Sequence, residues 1–139
     1  EDEDLVVAFL DMVENHKMIV ENSGLLTVAA LKQLNVKDKR IVSILSGGNM
    51  DVITMSSVVQ QGLILRDRIF TVSVLLPDKP GELCRVSGII AGVNGNVINR
   101  SAAVELRITL EAFGTEHKKE IIAALEKEGY QPKVVRANI

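Results

Sequence analysis

Ile69-Phe70-Thr71-Val72-Ser73-Val74-Leu75-Leu76-Pro77-Asp78-Lys79-Pro80-Gly81-Glu82-Leu83 decides the fold of the second half of the chain. Its first eight residues are mostly β-branched or aliphatic and contain no breaker, so 69–76 reads as a strand. Pro77 to Gly81 is a turn. Pro80 suits a helix entry, because its fixed φ matches the first turn and its missing N–H would have no partner there. Leu83, Val86, Ile89, Ile90 and Val93 then recur at helical spacing.

Working outward, Asn94-Gly95 closes that helix and 96–99 is a short strand. Residues 102–113 alternate, with Val104, Leu106, Ile108 and Leu110 set against Glu105, Arg107, Thr109 and Glu111. That is a strand with one packed face and one wet or interface face. Residues 115–128 form a helix with Ile121, Ala124 and Leu125 inward. Gly129 caps it, and 130–136 is a last strand. The order βαββαβ is the ferredoxin-like arrangement, an α+β fold.

The first half reads differently. Residues 5–17 carry Val6, Phe9, Leu10 and Val13 on one helical stripe. Glu21-Asn22-Ser23-Gly24 breaks the pattern, and Asn22 or Ser23 can cap a second helix over 25–34. That helix is apolar nearly all round, which implies burial in something larger. After the polar turn Lys37-Asp38-Lys39-Arg40, Ile41-Val42-Ser43-Ile44-Leu45 reads as a buried strand. Ser46-Gly47-Gly48-Asn49 is a glycine loop, and a helix runs over 51–61 until Gly62 ends it. A strand–glycine–helix junction lets backbone approach a ligand and aims amide hydrogens at it. A lone strand needs a sheet from elsewhere, so residues 1–65 are expected to be the tail of a larger α/β domain. The character changes at Arg66-Asp67-Arg68.

Composition narrows the function. The chain has 139 residues, 47% of them hydrophobic but only 3% aromatic, so the core is aliphatic. A net charge of −2 gives no electrostatic reason to bind nucleic acid. The face carrying Glu105, Arg107, Thr109 and Glu111 also lacks the aromatic platform on which RNA-binding sheets stack bases. No apolar run approaches the roughly 20 residues that span a bilayer. The acidic start Glu1-Asp2-Glu3-Asp4 is unlike a signal peptide, and the missing methionine suggests a piece of a longer chain. Cys84 is the one cysteine; it lies off the helical stripe, at a surface or interface, and suits a reducing cytoplasm. His16 and His117 are too far apart in sequence to suggest a metal site, and none is expected. His117 reads as a packing residue beside Ile121, and Lys118-Lys119-Glu120 as a solvated helix face.

Leu76-Pro77-Asp78-Lys79-Pro80-Gly81-Glu82-Leu83, followed by Asn94-Gly95-Asn96-Val97-Ile98, resembles the ACT domain, a small amino-acid-sensing module. Glu21-Asn22-Ser23-Gly24, Ala29-Ala30-Leu31 and Ile44-Leu45-Ser46-Gly47-Gly48-Asn49-Met50-Asp51 resemble the end of the catalytic domain of threonine dehydratases (threonine ammonia-lyases), which use pyridoxal phosphate and have fold type II. The resemblance implies a C-terminal remnant of the catalytic domain over 1–65 and an ACT regulatory domain over 66–139.

It also implies roles for named residues. Ser46 would hydrogen-bond the pyridine nitrogen of the cofactor, with Gly47, Gly48 and Asn49 beside it, in the parent enzyme. A neutral hydroxyl does not hold that nitrogen protonated as an aspartate would, which suits loss of water more than transamination. Glu21 could support the ring indirectly, or simply precede a helix cap. The Schiff-base lysine and the glycine-rich phosphate loop of the family have no counterpart here, so this chain alone is expected to be inactive and to bind no cofactor.

An amino-acid effector, isoleucine first and valine second, would sit between two copies of the chain. Asp78, Lys79, Pro80, Gly81, Glu82 and Leu83 of one copy would meet Asn94, Asn96, Val97 and Ile98 of the other. Amides around Gly81 would take the carboxylate, Asn96 or Asp78 the amino group, and Leu83, Val97 and Ile98 the side chain. A side chain at position 81 would fill the approach. A homodimer or higher oligomer in the cytoplasm follows. Related ACT domains join the second and third strands through a longer segment, by roughly ten to fifteen residues. Alternatives are a parent of the serine dehydratase or racemase type, and a stand-alone amino-acid-binding or dimerisation module.

Overall fold

The structure is a computed structural model that describes residues 2–77, 79–101 and 105–136. Asp78 of the expected effector loop and residues 102–104 of the expected strand lie outside the described residues. The chain divides into two compact units, Glu1–Leu65 and Arg66–Ile139.

In the second unit the elements are β1 (Ile69–Leu75), α4 (Glu82–Gly92), β2 (Asn96–Ser101), β3 (Glu105–Glu111), α5 (Thr115–Lys127) and β4 (Lys133–Val135). The sheet order is β2-β3-β1-β4, and every neighbouring pair is antiparallel. The α+β, ferredoxin-like reading is correct. β1 and β2 point the same way because both oppose β3, and α4 crosses between them. One face of the sheet is apolar by alternation. Phe70, Val72 and Val74 of β1, with Leu106, Ile108 and Leu110 of β3, pack against Val86 and Ile90 of α4 and Ile121 and Leu125 of α5.

Three details differ from the sequence reading. Thr109, assigned to the wet face, is buried, because it lies mid-sheet opposite Thr71 and the two hydroxyls hydrogen-bond at 2.9 Å. The last strand is only three residues long, since Tyr130 turns into the core before it starts. β2 is longer than expected and irregular: Val97 pairs with Leu110 but Asn99 with Thr109, so Ile98 is an extra residue in an edge strand.

His117 does more than pack. The Phe113 N–H donates to its Nδ1 at 3.1 Å. An amide can only donate, so Nδ1 is the acceptor and Nε2–H donates to the Val93 carbonyl at 2.6 Å. The ring ties α5 to the end of α4.

Asp67 clamps the segment that enters β1. Its carboxylate accepts from Lys118 Nζ at 2.6 Å and from the Thr115 hydroxyl at 2.9 Å, at the N-terminus of α5. The Lys118 hydrogen bond above all, with that of Thr115, holds its pKa below the usual aspartate range. A lowered carboxylate pKa adds stability that is complete above the unfolded-state value and is lost as pH falls through the folded-state value. Asp67→Asn should therefore lower the urea midpoint of this unit at pH 7. The gap from wild type should shrink between about pH 5 and pH 2. A gap constant with pH would mean the carboxylate charge plays no part.

The first unit is helical: α1 (Asp2–Asp11), a π-helical turn (Met12–His16), a 3-10 turn (Asn22–Leu25), α2 (Leu26–Gln33) and α3 (Val52–Leu65). Val6, Phe9, Met12, Val20, Leu25, Ala29 and Val58 make its core. Asp51 starts α3 by accepting the Ile53 and Thr54 amides at 3.0 and 2.9 Å.

Two expectations fail here, the cap of the second helix and the stop at Gly62, and two that call for a larger domain are not met within this unit. Residues 41–45 form no strand; Val42 is 90% and Ile44 78% exposed, because no described strand of this unit offers a ladder partner. α2 is not buried all round: Ala29 is its one buried residue, and Leu26 is exposed. Neither Asn22 nor Ser23 caps it; the Ser23 hydroxyl turns back to Glu21 at 2.6 Å. Gly62 does not end α3, which runs on to Leu65. A Cβ at position 62 would stand 3.2 Å from Leu10 Cδ2, so this glycine permits close packing of α3 on α1.

Candidate functional site

The glycine loop folds onto the Glu21–Gly24 turn, so two motifs distant in sequence meet. The Glu21 N–H donates to the Gly47 carbonyl at 3.3 Å, and the Thr27 hydroxyl to the Ile44 carbonyl at 3.4 Å. Gly24 is buried beneath the Ser46 carbonyl. Gly47 has φ +82, which favours glycine, and a Cβ there would lie 2.5 Å from Glu21 Cδ. Ser46, Gly47, Gly48 and Asn49 are all exposed. Among the described residues the Ser46 hydroxyl has no hydrogen-bond partner. The loop therefore presents backbone and a hydroxyl without a described partner to solvent.

The expected effector residues fall into two groups at opposite ends of α4. Lys79, Pro80, Gly81, Glu82 and Leu83 are at its N-terminus, and Asn94, Asn96, Val97 and Ile98 follow its C-terminus. Eleven helical residues separate them by about 16 Å at 1.5 Å per residue. One copy does not bring them together. Leu83 and Val97 pack on the core, and Asn96 Nδ2 donates to Glu111 at 3.4 Å. Gly81 has φ +92 and nothing within 4 Å of a Cβ placed on it. In a single copy its glycine serves backbone conformation, and the space a side chain there would enter is open.

The Lys79–Glu82 turn instead borders an open cleft of about 310 Å³ completed from the far end of the unit, by Arg85, Glu128, Gly129, Tyr130 and Gln131 with Leu75 and Pro77. The Tyr130 hydroxyl donates to Glu82 Oε2 at 2.6 Å, and Arg85 pairs with Glu128 at 3.0 Å. Burial, and then the Glu82 carboxylate, push the Tyr130 phenol pKa upward. Pro77, Lys79 and Glu82 lie in the Leu76–Leu83 motif, but no motif marks Arg85, Glu128 or Tyr130 in the sequence. The one cue is Gly129, whose φ of +87 turns the chain so that Tyr130 points back to the core.

Among the described residues no group of histidine, cysteine and acidic side chains could hold a metal. No described helix is long and apolar enough to cross a membrane.

The architecture defines a two-unit α+β protein: a helical segment with a glycine loop, and a ferredoxin-like unit with a cleft beside its first turn. No family model matches the chain. Over 98% of its length it is 36% identical to the L-threonine ammonia-lyase of Geobacter sulfurreducens, and over 96% it is 32% identical to that of Thermotoga maritima. Over 92% it is 29% identical to the biosynthetic L-threonine dehydratase IlvA of Pasteurella multocida. The chain spans only 37%, 36% and 26% of those proteins. It belongs to the threonine dehydratase family as a C-terminal portion. The Geobacter alignment runs over 148 positions, more than the 139 residues of the chain, so that relative carries internal residues with no counterpart here.

Proposed function

We propose that the chain is the regulatory C-terminal portion of a pyridoxal-phosphate-dependent threonine dehydratase, which converts threonine to 2-oxobutanoate and ammonia. One observation carries the reading: a single match to threonine ammonia-lyases runs through both units in order, over 98% of the chain. On this reading residues 1–65 close the catalytic domain and residues 66–139 are an ACT module. The cofactor supplies an electron sink for the α-carbon of threonine as water is lost. Ser46 would hold its ring nitrogen, with Gly47, Gly48 and Asn49 along the ring edge. The exposed loop and the free Ser46 hydroxyl support that role.

The module would sense isoleucine, or valine, and pass the signal as a coupling free energy of about 1–3 kcal/mol. Because the Lys79–Leu83 turn and the 94–98 segment lie at opposite ends of α4, an effector touching both needs two copies. β2 is an edge strand, and a second copy could pair along it. The biosynthetic role named for the Pasteurella relative fits a cytoplasmic setting.

The test is Ser46→Ala in the full-length enzyme. A lost hydrogen bond to the ring nitrogen costs about 1–3 kcal/mol, so kcat should fall between about 5-fold and 150-fold while KM for threonine stays within about twofold. Unchanged kcat would remove Ser46 from the site.

A further inference from the structure

The geometry points to a second amino-acid site within a single copy, in the cleft beside β4, where a small zwitterionic α-amino acid lies between Lys79 and Glu82. This goes beyond the sensing role proposed above, which puts the effector between two copies.

The charges around the cleft sort into two kinds. Arg85 and Glu128 face each other at 3.0 Å and neutralise one another. Glu82 is engaged by a neutral phenol, which donates a hydrogen bond without cancelling its charge; Arg85 acts on it only at longer range, and no cation among the described residues pairs with it directly. The Lys79 ammonium has no partner among the described residues. Among the described residues, one positive group in the turn, Lys79, and one negative group at the first residue of α4, Glu82, are therefore without an ion-pair partner. An α-carboxylate toward Lys79 and an α-ammonium toward Glu82 would satisfy both. Neither a simple anion nor a simple cation would.

The rest of the cleft fits the same class. Leu75 is 60% exposed although it ends a core strand, and with Pro77 it offers an apolar wall for an aliphatic side chain. The volume of about 310 Å³ is at the small end of ligand pockets, as a single amino acid requires. Tyr130 is buried and fixes the direction of Glu82. Its raised pKa keeps the phenol a neutral donor at physiological pH.

The test is calorimetric titration of isoleucine, valine, threonine and serine into the 139-residue chain, with NMR shift mapping and mass by light scattering. Wild type should bind at least one of them with amide shifts at Glu82, Tyr130 and Gln131. Affinity should not depend on protein concentration. Lys79→Ala and Glu82→Gln should each weaken it at least tenfold, while Lys119→Ala, outside the cleft, leaves it unchanged. Tyr130→Phe should weaken it less, with Tm recorded to exclude loss of fold. Binding at wild-type strength in Lys79→Ala and Glu82→Gln overturns the proposal. Binding that needs the dimer and is lost in Asn96→Ala overturns it too, while favouring the site between copies. No binding at millimolar ligand sinks both sites.

Discussion

Gly24→Ala is expected to destabilise residues 1–65 by about 3 kcal/mol, the upper end of the usual cost of overpacking. The added Cβ would lie 2.8 Å from Val20 Cγ1 and 2.9 Å from the Ser46 carbonyl carbon, and closer still to the Ser46 oxygen. Val20 belongs to the buried core of the unit. The Ser46 obstacle is backbone, which has no rotamer to escape through. Relief requires the glycine loop to lift from the Glu21–Gly24 turn, which breaks the hydrogen bond from the Glu21 N–H to the Gly47 carbonyl. Gly48→Ala is the control, since its Cβ would meet only the Ile19 carbonyl at 3.5 Å, an ordinary contact. Urea unfolding followed by circular dichroism should show the transition of this unit shifted or lost in Gly24→Ala and unmoved in Gly48→Ala. A shift equivalent to under about 1 kcal/mol in Gly24→Ala, ordinary for a point mutant, would mean that the loop is not seated there.

The two units differ in how far their structure could be read from sequence, and the reason is physical. The second carries its own sheet. Alternation through Leu106, Ile108 and Leu110, and helical spacing through Val86 and Ile90, each report a partner present in the same stretch of chain. Ile41 to Leu45 has strand composition but no partner, and composition alone does not make a ladder. Gly62 failed as a stop because glycine has two uses, cap and close approach, and only the position of Leu10 separates them. The glycine loop was legible as a motif, but its seat on Gly24 depends on a fold between residues 22 apart. The cleft was illegible for a similar reason: Glu82 and Tyr130 are 48 residues apart and carry no joint pattern. Thr109 was misjudged, and the packing role of His117 was read without its hydrogen bonds, because each satisfies its polar atoms through tertiary partners, Thr71 in one case and Val93 and Phe113 in the other.

Gly95→Ala should cost the second unit about 2–3 kcal/mol, and Ile90→Leu should recover part of that loss. Gly95 follows α4, and its N–H donates to the Ile90 carbonyl at 2.9 Å, closing the helix over its own last turn. A Cβ there would stand 2.6 Å from Ile90 Cγ2, 3.0 Å from the Ile90 carbonyl oxygen and 3.3 Å from Ile121 Cδ1. Both isoleucines are fully buried, so neither can swing aside without opening the core. Leucine at position 90 lacks a Cγ2 branch on Cβ, which removes the shortest of the three contacts while keeping the volume. The single change Ile90→Leu should cost under about 1.5 kcal/mol as a volume-conserving swap. If the steric account is right, the double mutant is more stable than the sum of the singles predicts, by at least 0.5 kcal/mol in a double-mutant cycle of the kind that detects contacting residues. Gly81→Ala provides the contrast. It meets no atoms, so its cost of about 1–2 kcal/mol comes from φ alone and should not respond to Ile90→Leu. Strict additivity of Gly95→Ala with Ile90→Leu would place the strain at Gly95 in the backbone and not against the core.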